Sequence, residues 1–165
     1  SFWVNYQSEN TSNNSNFLTT YGGNYDVNFM GTFTWQKKPG INFIGKEIIL
    51  DVSLEPNTWS LLTYSYDGDS NFKIYFDGVP LVNQSIGLNT VLNEPFMVGA
   101  RSRDNKIDGF SNVMMDELGL WNRALSESEV SALYNNGNGL ALPSPSTIGV
   151  MGLAGLVASR RKRQS

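Results

Sequence analysis

Carboxylates, lysines and tyrosines are the side chains left to run chemistry in this sequence, because its 165 residues contain no cysteine and no histidine. Disulfides, thiolate nucleophiles, thiolate or imidazole metal sites and Ser-His-Asp or Cys-His catalysis are all excluded within the chain. Paired carboxylates are then the first pattern to examine. A retaining glycosidase holds two carboxyl groups about 5–5.5 Å apart, which on a strand requires acidic residues two positions apart on one face. Asp67 with Asp69 and Glu127 with Glu129 have that spacing. The first pair, however, lies in the turn sequence Asp67-Gly68-Asp69-Ser70-Asn71, and the second in a helix cap. Asp116 and Glu117 are adjacent, so on a strand they point to opposite faces. A carboxylate-based hydrolase is therefore disfavoured.

Hard-cation sites are the next option. Residues 67–71 satisfy the first places of an EF-hand loop, but Phe72 takes the glycine place and Gly78 that of the bidentate Glu. Asp104-Asn105-Lys106-Ile107-Asp108-Gly109 puts Lys106 on a ligand position. Both segments read as turns. Asp116 differs: it shares strand parity with Met114, Leu118 and Leu120, the more continuous apolar face. A carboxylate facing inward must be paired, hydrogen-bonded or metal-bound, and Arg123 or loop N–H groups are alternative partners to a metal. For sugar binding, Trp3, Tyr21, Tyr25 and Trp35 are candidate aromatic platforms beside the Asn-rich loop of residues 9–16. Trp59, Phe72, Phe76 and Trp121 alternate with apolar neighbours and are expected in the core.

These groups must be positioned by strands. Residues 1–6 alternate from the first position, so the chain opens inside a strand, and an upstream segment with a signal peptide and at least one further strand is expected. Short β-branched and aromatic runs separated by turns continue to Phe110, with Lys37-Lys38-Pro39-Gly40 expected to break one of them. No sustained helical period occurs before residue 120, which indicates an all-β sandwich or barrel. From Trp59 to Val82 the pattern predicts a three-stranded meander. Asp77-Gly78 should form its type I′ turn, and Pro80 should lie at a strand start or on an edge. One helix is expected, opened by the capping box Ser126-Glu127-Ser128-Glu129, carrying Val130, Leu133 and Tyr134 on one stripe and ended by Gly137. At about three turns it is too short to stand alone and must dock on the sheets.

The order of Trp59, Tyr66-Asp67-Gly68, Ile74-Tyr75-Phe76-Asp77-Gly78, Val98-Gly99-Ala100, a polar loop to Gly109-Phe110, and Met115-Asp116-Glu117-Leu118-Gly119-Leu120-Trp121-Asn122-Arg123-Ala124-Leu125-Ser126 resembles LamG-like domains of the concanavalin A-like lectin/glucanase superfamily. It covers roughly residues 1–140. The resemblance implies a two-sheet antiparallel β-sandwich, a jelly roll with one short C-terminal helix docked on it. Glucanases of this fold carry a Glu-x-Asp-x-Glu strand, which is absent here, so the resemblance implies no enzyme but a module for carbohydrate binding or adhesion. It also implies a structural Ca²⁺ ion with Asp116 as a ligand, other ligands lying in the upstream segment. A structural envelope or biofilm-matrix protein without a small ligand is the alternative.

The end of the chain reads separately. Arg160, Arg161, Lys162 and Arg163 are four of the twelve basic residues, and without them 8 basic groups face 15 acidic ones, a net of −7. An acidic body with a basic tip is not the charge distribution of a nucleic-acid binder. Leu142-Pro143-Ser144-Pro145-Ser146-Thr147, then the apolar Ile148 to Ala158, then the basic cluster resemble a PEP-CTERM sorting tail, with Ser144 where that family usually has Glu. The apolar run is shorter than the ~20 residues of a comfortable span, but with residues 142–147 and snorkelling arginines it reaches across, the basic end staying cytoplasmic. The expectation is a domain over residues 1–142 and a hydrophobic sorting tail over 143–165. Pro143, Pro145 and the four basic residues form the signal read by an exosortase-type enzyme. The mature protein would then reach the envelope, surface or extracellular matrix of a Gram-negative-type bacterium.

Overall fold

The computed structural model describes residues 1–7, 14–20, 30–43, 46–87, 96–103 and 106–139. Twelve strands occur among them: β1 (Phe2–Tyr6), β2 (Asn14–Thr20), β3 (Met30–Trp35), β4 (Lys38–Phe43), β5 (Lys46–Ile49), β6 (Trp59–Tyr66), β7 (Asn71–Phe76), β8 (Val79–Ser85), β9 (Phe96–Val98), β10 (Arg101–Arg103), β11 (Lys106–Asp108) and β12 (Val113–Asp116). One helix, α1 (Glu127–Tyr134), and a 3₁₀ turn at Asn135–Gly137 follow. The strands form two five-stranded sheets, in the orders β12-β1-β6-β7-β8 and β5-β4-β3-β2-β9, and a two-stranded β10-β11 hairpin. The sorting-tail residues Pro143, Pro145, Arg160, Arg161, Lys162 and Arg163 lie outside the described residues. Among the described residues no helix is long and apolar enough to cross a membrane.

The chain divides into two compact units. The first comprises residues 1–4, 59–86 and 115 onward. Its meander forms as the alternation requires: Leu62 pairs with Phe76, Tyr64 with Ile74 and Tyr66 with Phe72, so these side chains share one face. The opposite face carries Trp3, Leu61 and Tyr75, and α1 closes over it with Val130 and Leu133, joined by Leu125. Each such buried aliphatic side chain contributes about 1.5–3 kcal/mol through apolar area removed from water. Trp3 is 1% exposed and stacks on Tyr134 at 5.9 Å. The expected platform role of Trp3 is thereby corrected: it is the anchor of the helix–sheet core.

Both halves of the capping box form, Ser126 Oγ accepting from Glu129 N and the Glu129 carboxylate accepting from Ser126 N. The helix ends earlier than expected, however. Asn135 adopts the left-handed conformation at φ 44° and caps α1, while Gly137 ends the 3₁₀ turn that follows. Asparagine tolerates that region better than most residues, so the first available left-handed residue stops the helix. The type I′ turn at Asp77-Gly78 is present, with φ 50° and 79°. Pro80 lies on β8, an edge strand, opposite Tyr75 at a shift in the register, the kind of place to which proline is confined in sheets.

The second unit comprises residues 5–58 and 87–114. Leu18, Thr32, Ile41 and Ile48 are cross-strand neighbours on one face of its sheet, three of them buried and Ile48 half-buried. Buried hydroxyls on that sheet find backbone partners: Thr32 Oγ1 accepts from Leu18 N at 3.1 Å and Thr19 Oγ1 donates to Ala100 O at 2.9 Å. The expected break at Lys37-Lys38-Pro39-Gly40 is confined to a two-residue turn. Lys38, Pro39 and Gly40 lie inside β4, where the Pro39 carbonyl accepts from Leu50 N at 2.8 Å. The expected polar loop before Gly109 holds the β10-β11 hairpin, closed by an Arg101–Asp108 ion pair at 2.7 Å.

Candidate functional site

Trp35 ends β3 and is 41% exposed. The β3-β4 register fixes which residues share its face. Trp35, Phe33 and Gly31 on β3 stand opposite Lys38, Gly40 and Asn42 on β4, and Ile49 and Glu47 follow on β5. Gly40 is required there: a Cβ would come within 2.9 Å of the Phe33 ring and 2.8 Å of Ile48 O. On the other side, β2 places Asn14 opposite Trp35 and Asn16 opposite Phe33. The backbone of β2 thus enters the sheet at Asn14, in register with the exposed indole's own residue. Of the four expected aromatic platforms, Trp35 is the one the structure places on the surface; Tyr21 and Tyr25 lie outside the described residues.

The turn beside Trp35 is unusual in its residues. Gln36 and Lys37 join β3 to β4 with φ 48° and 68°, the pair of positive angles that a type I′ turn demands and that Asn-Gly normally supplies. For residues with a Cβ this conformation costs on the order of 1–2 kcal/mol each. Neighbouring contacts hold it in place. The Lys37 carbonyl accepts from Leu54 N at 2.9 Å, the Lys38 ammonium pairs with Asp51 at 2.7 Å, and Leu50 and Leu54 are buried. The Lys38 bond holds the Asp51 carboxyl below the usual carboxylate range. Neither the Gln36 amide nor the Trp35 indole N–H is hydrogen-bonded to any described residue. A flat apolar ring with a donor on its rim, followed in sequence by the exposed Gln36 amide, can receive the C–H face of a sugar and its hydroxyls together.

Gln36 and Lys37 were invisible in the sequence as a site, because neither is a residue that a type I′ turn favours. The usable signal was spacing: two residues alone separate the alternation ending at Trp35 from the one resuming at Lys38.

The carboxylates sit elsewhere. Asp67 Oδ1 accepts from the backbone N–H groups of Asp69, Ser70 and Asn71 at 2.9, 3.0 and 3.0 Å. Those bonds, the Asp69 N–H foremost, and the Asn71 side chain lower its pKa to about 2, and they orient it towards its own turn. Glu127 pairs with Lys73 at 3.0 Å, and Glu129 is held by both Arg123 terminal nitrogens. Arg123 first, then Ser126, lower the Glu129 pKa to about 2.

Asp116 ends β12, an edge strand, and is exposed together with Met114, Leu118 and Leu120. The inward face inferred from their parity is corrected: apolar alternation marks that row, but solvent covers it. Arg123, the alternative partner named for Asp116, is engaged with Glu129. Asp116 Oδ1 accepts from Glu117 N at 2.8 Å. Among the described residues no three acidic side chains converge, so a Ca²⁺ ion at Asp116 would need oxygen ligands from beyond them.

Comparison with curated protein sequences finds no match. Among solved structures, the CBM40 of Ruminococcus gnavus IT-sialidase, bound to α2,3-sialyllactose, is similar at a TM-score of 0.63 and 10% identity, over 81% of this chain and 80% of that one. The receptor-binding domain of botulinum neurotoxin type G is similar at 0.59 and 16%, over 83% of this chain and 37% of that one. Domain 4 of AbnA, a GH43 extracellular arabinanase from Geobacillus stearothermophilus in complex with arabinotriose, is similar at 0.52 and 16%, over 79% and 62%. At these identities the likeness is one of fold. Residues 1–131 match the family model Laminin_G_3, described as the concanavalin A-like lectin/glucanases superfamily. With two antiparallel sheets, one short helix and a match over most of its length, the chain belongs to the concanavalin A-like lectin/glucanases superfamily.

Proposed function

We propose that this chain is a non-catalytic carbohydrate-binding module, and that its sugar platform is Trp35. The observation that carries the reading is the register pair Asn14–Trp35, which sets an exposed indole beside the end of the Asn-rich run. Stacking removes the apolar face of a sugar and about the same area of indole from water, while the adjacent Gln36 amide is available to hydroxyls. Two of the similar solved structures hold oligosaccharides, sialyllactose and arabinotriose, which supports glycan as the ligand class. Non-catalytic action is supported by the carboxylates, since the four in the two spaced pairs include three tied to their own turn or to a basic side chain.

The sorting tail over residues 143–165 belongs to the same proposal: export, a membrane-held intermediate, cleavage by an exosortase-type enzyme, and release to the cell surface or matrix. Mass spectrometry of the mature C-terminus tests it, and secreted protein that still ends in Arg160-Arg161-Lys162-Arg163 is incompatible with removal. A structural Ca²⁺ at Asp116 is a separate element, tested by melting in EDTA against excess Ca²⁺. An unchanged melting curve argues against it.

For the carbohydrate reading, the test is an array of plant, bacterial and animal glycans probed with and without Ca²⁺, comparing wild type with Trp35→Ala. Binding by wild type that is lost in the variant is the expected result. No binding under either condition removes the reading and leaves a structural matrix protein.

A further inference from the structure

We propose that Gln36 is the specificity-determining residue of this module. In this role its side-chain amide contacts a pair of adjacent hydroxyls on the sugar ring stacked against Trp35. This inference rests on the carbohydrate reading above and adds the residue that selects among sugars. Three observations meet at the turn.

First, Gln36 is exposed, directly follows the exposed Trp35 and has no hydrogen bond from its amide to any described residue. An amide both donates and accepts, so one side chain can engage two neighbouring hydroxyls, one as donor and one as acceptor. A sugar that lacks or inverts either hydroxyl leaves one half of the amide unmatched, and such unmatched polar groups discriminate more strongly than lost apolar contact.

Second, the backbone that presents Gln36 is strained and yet fixed. Positive φ at two successive residues with a Cβ, 48° at Gln36 and 68° at Lys37, persists only when surrounding contacts impose it. Those contacts hold the Lys37–Pro39 side of the turn against residues 50–54: Leu54 N to Lys37 O, Leu50 N to Pro39 O, and the Lys38–Asp51 pair. The cross-strand pair Trp35–Lys38 closes it. A relaxed Asn-Gly would give the same turn with an amide one methylene shorter.

Third, the same chain builds another two-residue turn with positive φ at both places from Asp77-Gly78, so the favoured chemistry is available to this fold. Its absence beside the exposed indole places the exception where a ligand contact is most useful.

The experiment compares four proteins: wild type, Trp35→Ala, Lys37→Gly, and the double variant Gln36→Asn with Lys37→Gly. Melting temperature is measured for each. Affinity electrophoresis follows through gels holding arabinan, xylan, mixed-linkage β-glucan, pectin or a sialylated glycoprotein. Lys37→Gly should melt a few degrees higher and keep the wild-type retardation. The double variant should melt higher too, but lose at least fivefold in affinity for the polymer that retards wild type most, and its ranking of the five polymers should flatten. Full affinity and ranking in the double variant overturn the proposal while leaving Trp35 as the platform. Failure of both turn variants to melt above wild type also overturns it, because the turn is then unstrained. Indifference of Trp35→Ala, or no retardation of wild type in any gel, overturns the carbohydrate reading and this inference with it.

Discussion

Two hairpins in this chain turn through the same pair of positive angles on different residues. Asp77-Gly78, between β7 and β8, uses the dipeptide that the geometry favours; Gln36-Lys37, between β3 and β4, uses two residues that it disfavours. Around the first turn everything is consistent with stability alone. Gly78 leaves room for the Tyr134 ring, whose Cβ would lie 3.1 Å from an added methyl, and the Asp77 carboxylate accepts from Leu61 N at 2.7 Å. Around the second, an indole faces solvent and an amide has no partner among the described residues. Local rules are followed where the chain builds its core and broken where it presents a surface, the pattern expected when a site is maintained against stability.

The sharpest way to break this contrast is to truncate the tryptophan of each region. Trp3→Ala removes the ring at the centre of the helix–sheet core and should cost about 3–5 kcal/mol in urea unfolding. Trp35→Ala should cost roughly 1 kcal/mol or less, as an exposed substitution, while abolishing glycan retardation. Equal losses of stability would erase the distinction between core and platform. The turns themselves come next. Gly78→Ala introduces a Cβ at φ 79° and against Tyr134, and should destabilise by about 1–2 kcal/mol. Lys37→Gly should instead stabilise by about 1 kcal/mol. Two shifts of the same sign would show that the turns do not differ in strain. A smaller effect belongs to Ser126→Ala, which removes half of the capping box and should cost about 1 kcal/mol.

Acid titration supplies the last test. Asp67 and Glu129 are shifted down to about 2 from ordinary values of 3.8 and 4.5. In the unfolded chain both bind protons at higher pH than in the folded one, so stability rises with pH through that window. Their contribution is complete above about pH 5 and fades as pH falls towards 2. Asp67→Asn with Glu129→Gln should flatten the acid limb of the melting temperature, and an unaltered limb would place the acid sensitivity elsewhere.

How much of this was legible in the sequence follows the same division. The meander from Trp59 to Val82, its Asp-Gly turn, Pro80 at a strand start or edge, and the Ser126 cap all announce themselves, because each is a local signal that agrees with its surroundings. The end of α1 shifted from Gly137 to Asn135 because two left-handed candidates stood close together. Pro39 and Gly40 looked like a break, yet pairing on both sides of β4 holds them in a strand. Asp116 shows the limit of parity: alternation in residues 114–120 is real, but β12 is an edge strand, and no single-strand pattern says which row meets solvent. Trp3 and Trp35 were equal candidates in sequence, and only cross-strand neighbours separate them.

The position of β1 has a consequence for how the chain acquires its structure. It is hydrogen-bonded between β6 and β12, and the Ser1 amine and carbonyl meet Gly119 across 118 positions of sequence. One edge of β1 can pair with β6, within about 60 positions, but the other is completed only when β12 arrives. High sequence separation of this kind slows folding and prolongs the lifetime of an exposed, pairing-prone strand.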